Sequence, residues 1–156
     1  MPDNANTNWC QSVTAVVIRD GKVLLARHTY GSGAGKLIVP GGYLNFGETP
    51  QEALQREYLE ETGVVIAPRN VIAVRFNAHD WYVAFSADYV SGEARSDGDE
   101  NSEVVWMDTN EALLRDDVAN LTKKLIEAAQ SGSRGLEPAE YNSKERNGKN
   151  QLFSMI

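Results

Sequence analysis

Apolar residues along this chain fall into short, valine-rich and aromatic runs separated by glycine, proline and acidic turns, a pattern typical of β-strands. Predicted strands cover residues 12–18, 23–26, 37–39, 64–66, 71–76, 81–90 and 103–107. Apolar residues spaced three and four apart predict helices over residues 49–62, 109–115 and 118–129. Strands flanked by two helical regions predict an α/β fold with a mixed sheet.

The helix over residues 49–62 carries a complete set of boundary residues. Thr49 can cap the first turn, Pro50 suits the first helical position, and Glu52 completes a capping box with Thr49. Gly63 is placed to end the helix in the left-handed conformation. Before this helix, the Pro40-Gly41-Gly42 sequence is expected to break any regular structure.

The composition changes at Ser131, where the chain becomes polar before ending in the apolar sequence QLFSMI. We therefore predict one domain over residues 1–130 and a polar C-terminal tail over 131–156. The tail is either loose or docked, through Leu152, Phe153 and Met155, onto the domain or onto a second subunit. A homodimer is one expectation that follows from the docked alternative.

Length and charge narrow the classes of function. A chain of 156 residues with 42% hydrophobic content suits one globular domain. Its net charge of −7, without a block of basic residues, disfavours binding to nucleic acid duplexes or to anionic membranes. Cys10 is the only cysteine, the N-terminus is polar, and no apolar run is long enough to span a bilayer. We expect a cytoplasmic protein in which Cys10 is a small packed side chain.

One face of the helix over 49–62 is unusually acidic. Glu60 and Glu61 follow Glu57 by three and four residues, so the three share a face, where like charges repel. That face lies close to the apolar side of the helix, and burying carboxylates there is costly unless cations neutralise them. A glutamate-rich helix on its own more often indicates a solvated surface.

Residues near this face favour a metal site over a merely solvated helix. Arg56 can pair with Glu60 one turn later, and its planar guanidinium can also hold Glu48. Gly41 and Gly42 permit a close approach of the backbone, which leaves a carbonyl oxygen as a further ligand. Oxygen ligands of this kind suit Mg²⁺ or Mn²⁺, and two such ions could bridge a pyrophosphate.

These residues follow at fixed intervals: Gly42, Glu48, Arg56, Glu57, Glu60, Glu61, Gly63 and Val64. The spacing resembles the signature of the Nudix hydrolase family, and the preceding Val39-Pro40-Gly41 is also similar to that family. Tyr58 stands where an aliphatic residue is more usual, and we expect it to pack into the core. The resemblance implies a Nudix α/β/α sandwich and Mg²⁺-dependent hydrolysis of a nucleoside diphosphate linked to another group.

The resemblance also implies roles for the acidic residues. Glu57 and Glu61 would be the main metal ligands, assisted by Glu60 and the carbonyl of Gly41. The ion pair that supports these metal ligands would join Arg56 to Glu48.

Members of the family often add a glutamate from outside the signature, as a further metal ligand or as the general base. The loop over residues 98–103, just before Trp106, offers Glu100 as the first candidate for both roles and Glu103 as the second.

Substrate contacts are less constrained by the sequence. Arg27 ends the second strand and either contacts a substrate phosphate or is a solvated charge. Phe76, Trp81 and Tyr82 either stack on a nucleobase or belong to the core. The sequence leaves open nucleoside triphosphates, ADP-ribose, nucleotide sugars and other dinucleotides. Two further alternatives are a nucleotide sensor without hydrolysis and an enzyme for non-nucleotide diphosphates, including isoprenoids.

Overall fold

A computed structural model describes residues 10–31, 33–143 and 149–156 of the chain. Within these ranges the strands are β1 (Cys10–Arg19), β2 (Lys22–His28), β3 (Leu37–Ile38), β4 (Gly41–Tyr43), β5 (Val65–Phe76), β6 (Asp80–Ser91), β7 (Asn101–Asp108), β8 (Glu137–Ala139) and β9 (Leu152–Ser154). The helices are α1 (Pro50–Thr62), α2 (Thr109–Leu114) and α3 (Asn120–Gln130). Residues 1–9, the greater part of the polar N-terminus, lie outside the described residues.

The central sheet is mixed, as predicted. Its strands follow the order β3-β2-β1-β6-β5, with β4 added to β1 and β7 added to β2. Strands β1 and β6 run parallel, from the pair Cys10 and Asp80 to the pair Val17 and Ala87, and the other pairings are antiparallel. Because β4 and β7 both join the middle of this sheet, the segments that carry the acidic residues meet there.

Helices cover both faces of the sheet, which confirms the predicted α/β/α sandwich. Helix α1 packs Leu54 and Tyr58 against one face, and α3 packs Leu125 and Ile126 against the other. Within the described ranges, none of the helices has the length and apolarity that crossing a membrane requires.

Helix α1 begins and ends as the sequence predicts. Thr49 accepts a bond from the Glu52 amide while the Glu52 side chain accepts from the Thr49 amide, so the capping box is complete. At the other end Gly63 has a φ of 74° and donates to the Leu59 carbonyl at 3.0 Å. Tyr58 is fully buried, and its hydroxyl donates to the carbonyl of Ala15. The helix is thus fixed at both ends and along its apolar side.

Three local predictions are wrong. Gly41 and Gly42 were expected to break regular structure but lie in β4, which pairs with Ser12–Thr14 of β1. A Cβ on Gly41 would lie 2.9 Å from the Thr14 Cα, so the absent side chain is what lets this strand pair. The strands predicted over 64–66 and 71–76 are one strand, β5, with irregular register on both sides of Val71. Cys10 is exposed rather than packed.

Part of the C-terminal tail docks on the domain. Strands β8 and β9 pair with each other, and the Phe153 ring lies 5.5 Å from that of Phe85 in an edge-to-face arrangement. The Lys149 amino group contacts the Gly47 carbonyl at 3.1 Å and the Glu52 carboxylate at 3.2 Å. Met155, expected among the docking residues, is 83% exposed. The division of the chain at residue 130 stays a prediction.

Candidate active site

Three carboxylates from two separate segments meet at the C-terminal half of α1. Glu57 and Glu61 come from the helix and Glu100 from the loop before β7, and one oxygen of each lies within 4.8 Å of the others. We call these three residues the acidic cluster. Carboxylate oxygens this close repel one another unless protons or cations lie between them.

Glu61 is the most perturbed member of the acidic cluster. Its residue is only 5% exposed, and its Oε2 is buried without a hydrogen-bond partner. Burial, together with the charges of Glu57 and Glu100, raises the pKa of Glu61 to about 9. Burial also raises the pKa of Glu57, although the adjacent Arg56 opposes that shift. A divalent cation at this point would satisfy the unpartnered oxygen and offset the repulsion, so the residues fit such an ion.

Arg56 ties the loop before α1 to the helix. Its Nε and Nη2 donate to the two oxygens of Glu48 at 2.7 Å and 2.9 Å, a bidentate pairing. Nη1 reaches Glu57 at 2.9 Å and Glu60 at 3.3 Å. The pairing holds the pKa of Glu48 below its ordinary value. Since Nε and Nη2 are committed to Glu48 and the Tyr43 carbonyl, Arg56 neutralises the acidic cluster only through Nη1.

Two glycines of β4 allow close contact on its two sides. Gly41 lies against β1, and Gly42 lies against the Glu57 carboxylate of the acidic cluster. A Cβ on Gly42 would lie 2.5 Å from Oε1 and 2.7 Å from Oε2 of Glu57, so a side chain there would displace the Glu57 carboxylate. The Thr14 hydroxyl donates to the Pro40 carbonyl at 2.6 Å and so fixes the turn that precedes them. The Gly41 backbone opposes, to a small extent, the rise in the pKa of Glu61. The predicted role of the Gly41 carbonyl as a metal ligand stays a prediction.

Two predicted acidic residues lie outside the acidic cluster. The side chain of Glu60 is 60% exposed and contacts Arg56. Glu103, the second candidate for the general base, pairs with Arg27 at 3.0 Å on the neighbouring strand. Of the two loop candidates, only Glu100 reaches Glu57 and Glu61. The catalytic and metal-binding roles of all these residues stay predictions.

Arg27 belongs to a second group of charges, which we call the balanced cluster: Arg27, Arg115, Glu103, Glu111 and Asp117. Arg27 donates to Glu103 and Asp117 at 3.0 Å and to the Gly35 carbonyl at 2.8 Å. These bonds use three of its five N–H groups. The Glu103 contact, more than that of Asp117, raises the pKa of Arg27 despite some desolvation. A phosphate contact by Arg27 stays a prediction.

The predicted stacking residues divide between two environments. The Tyr82 ring is partly buried against the core, and the Arg75 guanidinium lies 5.1 Å from its centre. Phe76 and Trp81 instead form an exposed edge-to-face pair, with ring centres 5.2 Å apart. Substrate binding by Tyr82 stays a prediction, and its own ring already packs inside the protein.

Sequence reasoning missed Asn101, which positions the Glu100 loop. This buried side chain donates from Nδ2 to the Glu61 carbonyl at 2.9 Å and accepts from the Asp97 amide at 3.3 Å. The Asp97-Gly98 sequence predicts a turn, but nothing in it indicates that the next asparagine reaches α1. Sequence reasoning also assigned no role here to His28 and Tyr30, although Thr29 between them hydrogen-bonds with the Glu100 carbonyl of the same loop.

Comparison with known proteins agrees with this geometry. A family model described as the NUDIX domain matches residues 10–129. A NAD-capped RNA hydrolase NudC from Actinobacillus succinogenes is 32% identical over 114 residues, which is 67% of this chain and 42% of that protein. An ADP-ribose pyrophosphatase from Methanocaldococcus jannaschii is 30% identical over 105 residues, 64% of this chain and 62% of the relative. The chain thus spans less than two thirds of either relative.

Solved structures support the same grouping. A NUDIX hydrolase from Nitrosomonas europaea is 27% identical with a TM-score of 0.71, covering 81% of this chain and 91% of the other. A MutT NUDIX hydrolase from Burkholderia pseudomallei shares the fold, with a TM-score of 0.69 and 24% identity. The match covers 77% of this chain and 97% of the other. The resemblance in the signature, the α/β/α sandwich and the family match agree, and the chain belongs to the Nudix hydrolase family.

Proposed function

We propose that this protein is a Mg²⁺-dependent pyrophosphohydrolase, also able to use Mn²⁺, that cleaves a phosphoanhydride bond in a nucleoside diphosphate derivative. One observation carries the proposal: the buried, unpartnered Oε2 of Glu61 lies among three converging carboxylates. A protein gains nothing from burying such an oxygen unless a proton or a cation occupies the site.

Glu57, Glu61 and Glu100 would hold the cation, with the Gly41 carbonyl as a further oxygen ligand. Glu60 would act from the solvent side, by supporting Arg56 and by adding negative charge near the ion. When bound, a divalent cation offsets the charge of the diphosphate and lowers the pKa of nearby water. Arg56 keeps Glu48 and the β4 turn in place, so the carboxylates stay aligned as the substrate binds.

The reaction consumes one water and needs no other reactant. The water oxygen forms a bond to one phosphorus as the bond from that phosphorus to the bridging oxygen breaks. Glu100, the most exposed member of the acidic cluster, accepts the proton that the water gives up. The leaving phosphate keeps the bridging oxygen. Glu61 is less suited to this step because its side chain is buried away from solvent.

The substrate class is a nucleoside diphosphate joined to a second group, such as a dinucleotide or ADP-ribose. The names of two relatives, a NAD-capped RNA hydrolase and an ADP-ribose pyrophosphatase, support that class. The net charge of −7 favours a small dinucleotide over extended contact with a nucleic acid.

We retain the cytoplasmic location and the homodimer as predictions. Comparing the solution mass of the full chain with a form ending at Ser131 tests whether the tail contributes to a dimer.

The test is product formation across a panel of substrates with and without Mg²⁺, measured as nucleoside monophosphate by chromatography and, for triphosphates and non-nucleotide diphosphates, as released phosphate or pyrophosphate. The panel holds NAD⁺, ADP-ribose, canonical and oxidised nucleoside triphosphates, a nucleotide sugar and isopentenyl diphosphate. We expect Mg²⁺-dependent turnover of dinucleotide-type members that Glu61→Gln lowers by about 10³-fold, the several kcal/mol that a catalytic metal supplies. Glu111→Gln, in the balanced cluster, serves as the matched control and should retain turnover.

Turnover of isopentenyl diphosphate alone would move the protein to non-nucleotide diphosphates. Nucleotide binding without turnover of any member would contradict hydrolysis and favour a sensor.

A further inference from the structure

Two exposed tyrosines lie at the rim of the acidic cluster, and the mechanism above uses neither of them. Tyr30 is 55% exposed and Tyr43 is 60% exposed. The Tyr30 ring stacks on that of His28, with ring centres 5.4 Å apart and planes inclined by 21°. A ring that is already stacked keeps its orientation, so it loses little conformational freedom when a ligand binds.

Backbone contacts fix both tyrosines beside the catalytic carboxylates. Thr29, between His28 and Tyr30, donates from its amide to the Glu100 carbonyl at 3.2 Å and from its hydroxyl at 3.1 Å. The carbonyl of Tyr43 accepts from Arg56 at 3.1 Å. One tyrosine is therefore tied to the loop that supplies Glu100, and the other to the arginine beside Glu57.

Electrostatics agree with this placement. Desolvation, followed by the negative charges of Glu100, Glu61 and Glu57, raises the pKa of the Tyr30 hydroxyl. Tyr43 adds to the same shift. Burial lowers the pKa of His28, although Glu100 and Asp97 oppose the shift. The rim thus offers flat, uncharged rings beside a negative cluster, which suits a neutral or cationic planar group and disfavours an anionic one.

We propose that Tyr30, supported by His28, and Tyr43 bind the planar heteroaromatic ring of the substrate while its diphosphate lies on the acidic cluster. This inference rests on the proposed function and adds a specificity-determining pair to it. Two sources could supply such a ring, an adenine or a nicotinamide, and both stack on aromatic faces. The exposed pair Phe76 and Trp81 offers rings too, and Phe76 provides a matched control on the β5–β6 hairpin.

The test compares Tyr30→Leu and Tyr43→Leu with Tyr30→Phe, Tyr43→Phe and the control Phe76→Leu. Substrates are NAD⁺, NADH and ADP-ribose, and inorganic pyrophosphate serves as a competitive inhibitor without a ring. We expect the leucine variants to raise KM by between about fivefold and 100-fold, the range for one stacked base, with kcat within about threefold. The phenylalanine variants, the Phe76 variant and the Ki of pyrophosphate should stay near the wild-type values.

The pattern across substrates identifies the ring. A higher KM for NAD⁺ and NADH but not for ADP-ribose assigns nicotinamide, and a higher KM for all three assigns adenine. An unchanged KM in both leucine variants, or an equal rise in the Ki of pyrophosphate, would overturn the proposal.

Failure of the proposed function is distinguishable from failure of this inference. If the wild-type protein hydrolyses none of the three substrates, binding of AMP and of nicotinamide mononucleotide is measured by calorimetry in Mg²⁺. Binding weakened at least about fivefold in the leucine variants supports the ring site on its own. Absence of binding, or equal binding by all variants, overturns it.

Discussion

The acidic cluster and the balanced cluster each contain three carboxylates but differ in how many of these carboxylates are paired with arginine. In the balanced cluster, Arg27 and Arg115 pair with three carboxylates at distances between 2.7 Å and 3.2 Å. The acidic cluster brings three carboxylates together, shares one nitrogen of Arg56, and leaves one buried oxygen of Glu61 without a partner. Carboxylates that are paired with arginine hold neighbouring segments of the fold together. Carboxylates that are left unpaired and close to one another are stabilised when they bind a cation.

Two residues make this contrast sharp. Glu100 and Glu103 are three positions apart in sequence, yet Glu100 joins the acidic cluster and Glu103 pairs with Arg27. Proximity in the chain therefore does not decide which glutamate takes part in chemistry. The direction of each side chain makes the difference. The Glu100 carboxylate lies with those of Glu57 and Glu61, and the Glu103 carboxylate lies against Arg27.

The largest expected effect separates these two glutamates. Glu100→Gln should lower kcat by between about 10²-fold and 10⁴-fold, because the glutamine can neither accept the proton nor ligate a cation with the same charge. Glu103→Gln should leave kcat within about threefold, since it removes only one ion pair at the surface. Steady-state kinetics at saturating Mg²⁺ measures both. Equal losses in the two variants would contradict the division into two clusters.

The next effect concerns the residue that borders the acidic cluster. Arg56→Lys should lower activity by between about 10-fold and 100-fold, because an ammonium cannot reproduce the bidentate contact with Glu48. Kinetics under the same conditions, with Arg69→Lys as an exposed control, gives the comparison. Full activity in the lysine variant would show that charge alone, rather than geometry, is needed at position 56.

The charge imbalance should also appear as a pH dependence of stability without metal. The folded-state pKa of Glu61 is raised from 4.5 to about 9, so the folded protein keeps a proton that the unfolded chain has lost. Stability should therefore fall as pH rises between these values, and the fall should be shallower in Glu61→Gln. Urea unfolding in EDTA at pH 5 and pH 8 measures the free energy of unfolding. Identical slopes for both proteins would refute the burial of an unneutralised Glu61.

The smallest effect tests the balanced cluster. Arg27→Gln should lower the free energy of unfolding by about 1 kcal/mol, since its partners are partly exposed and screened by solvent. KM for a dinucleotide should change less than about threefold, because the ion pairs direct the guanidinium into the protein. Urea unfolding and kinetics on the same preparation give both values. A tenfold rise in KM with unchanged stability would instead support a phosphate contact by Arg27.

Local signals made much of this molecule predictable from its sequence. Both ends of α1 could be predicted because each depends on residues close together in the sequence. Thr49 and Glu52 cap the first turn, and Gly63 ends the last one. The shared face of Glu57 and Glu61 followed from helical periodicity.

Features that depend on distant segments were not predictable. Strand β4 forms because Gly41 meets Thr14, and Asn101 acts by reaching Glu61, some forty positions away. The docking of Phe153 on Phe85 likewise depends on segments that are far apart in sequence.

The most direct test of the central claim is the thermal shift caused by Mg²⁺ at pH 8, measured on the wild-type protein, Glu61→Gln and Glu111→Gln. An ion that binds only the folded state raises Tm in proportion to its occupancy. We predict that Mg²⁺ raises the Tm of the wild-type and Glu111→Gln proteins equally and leaves that of Glu61→Gln unchanged. An equal rise in all three would place the cation elsewhere and contradict the assignment of the acidic cluster as the metal site.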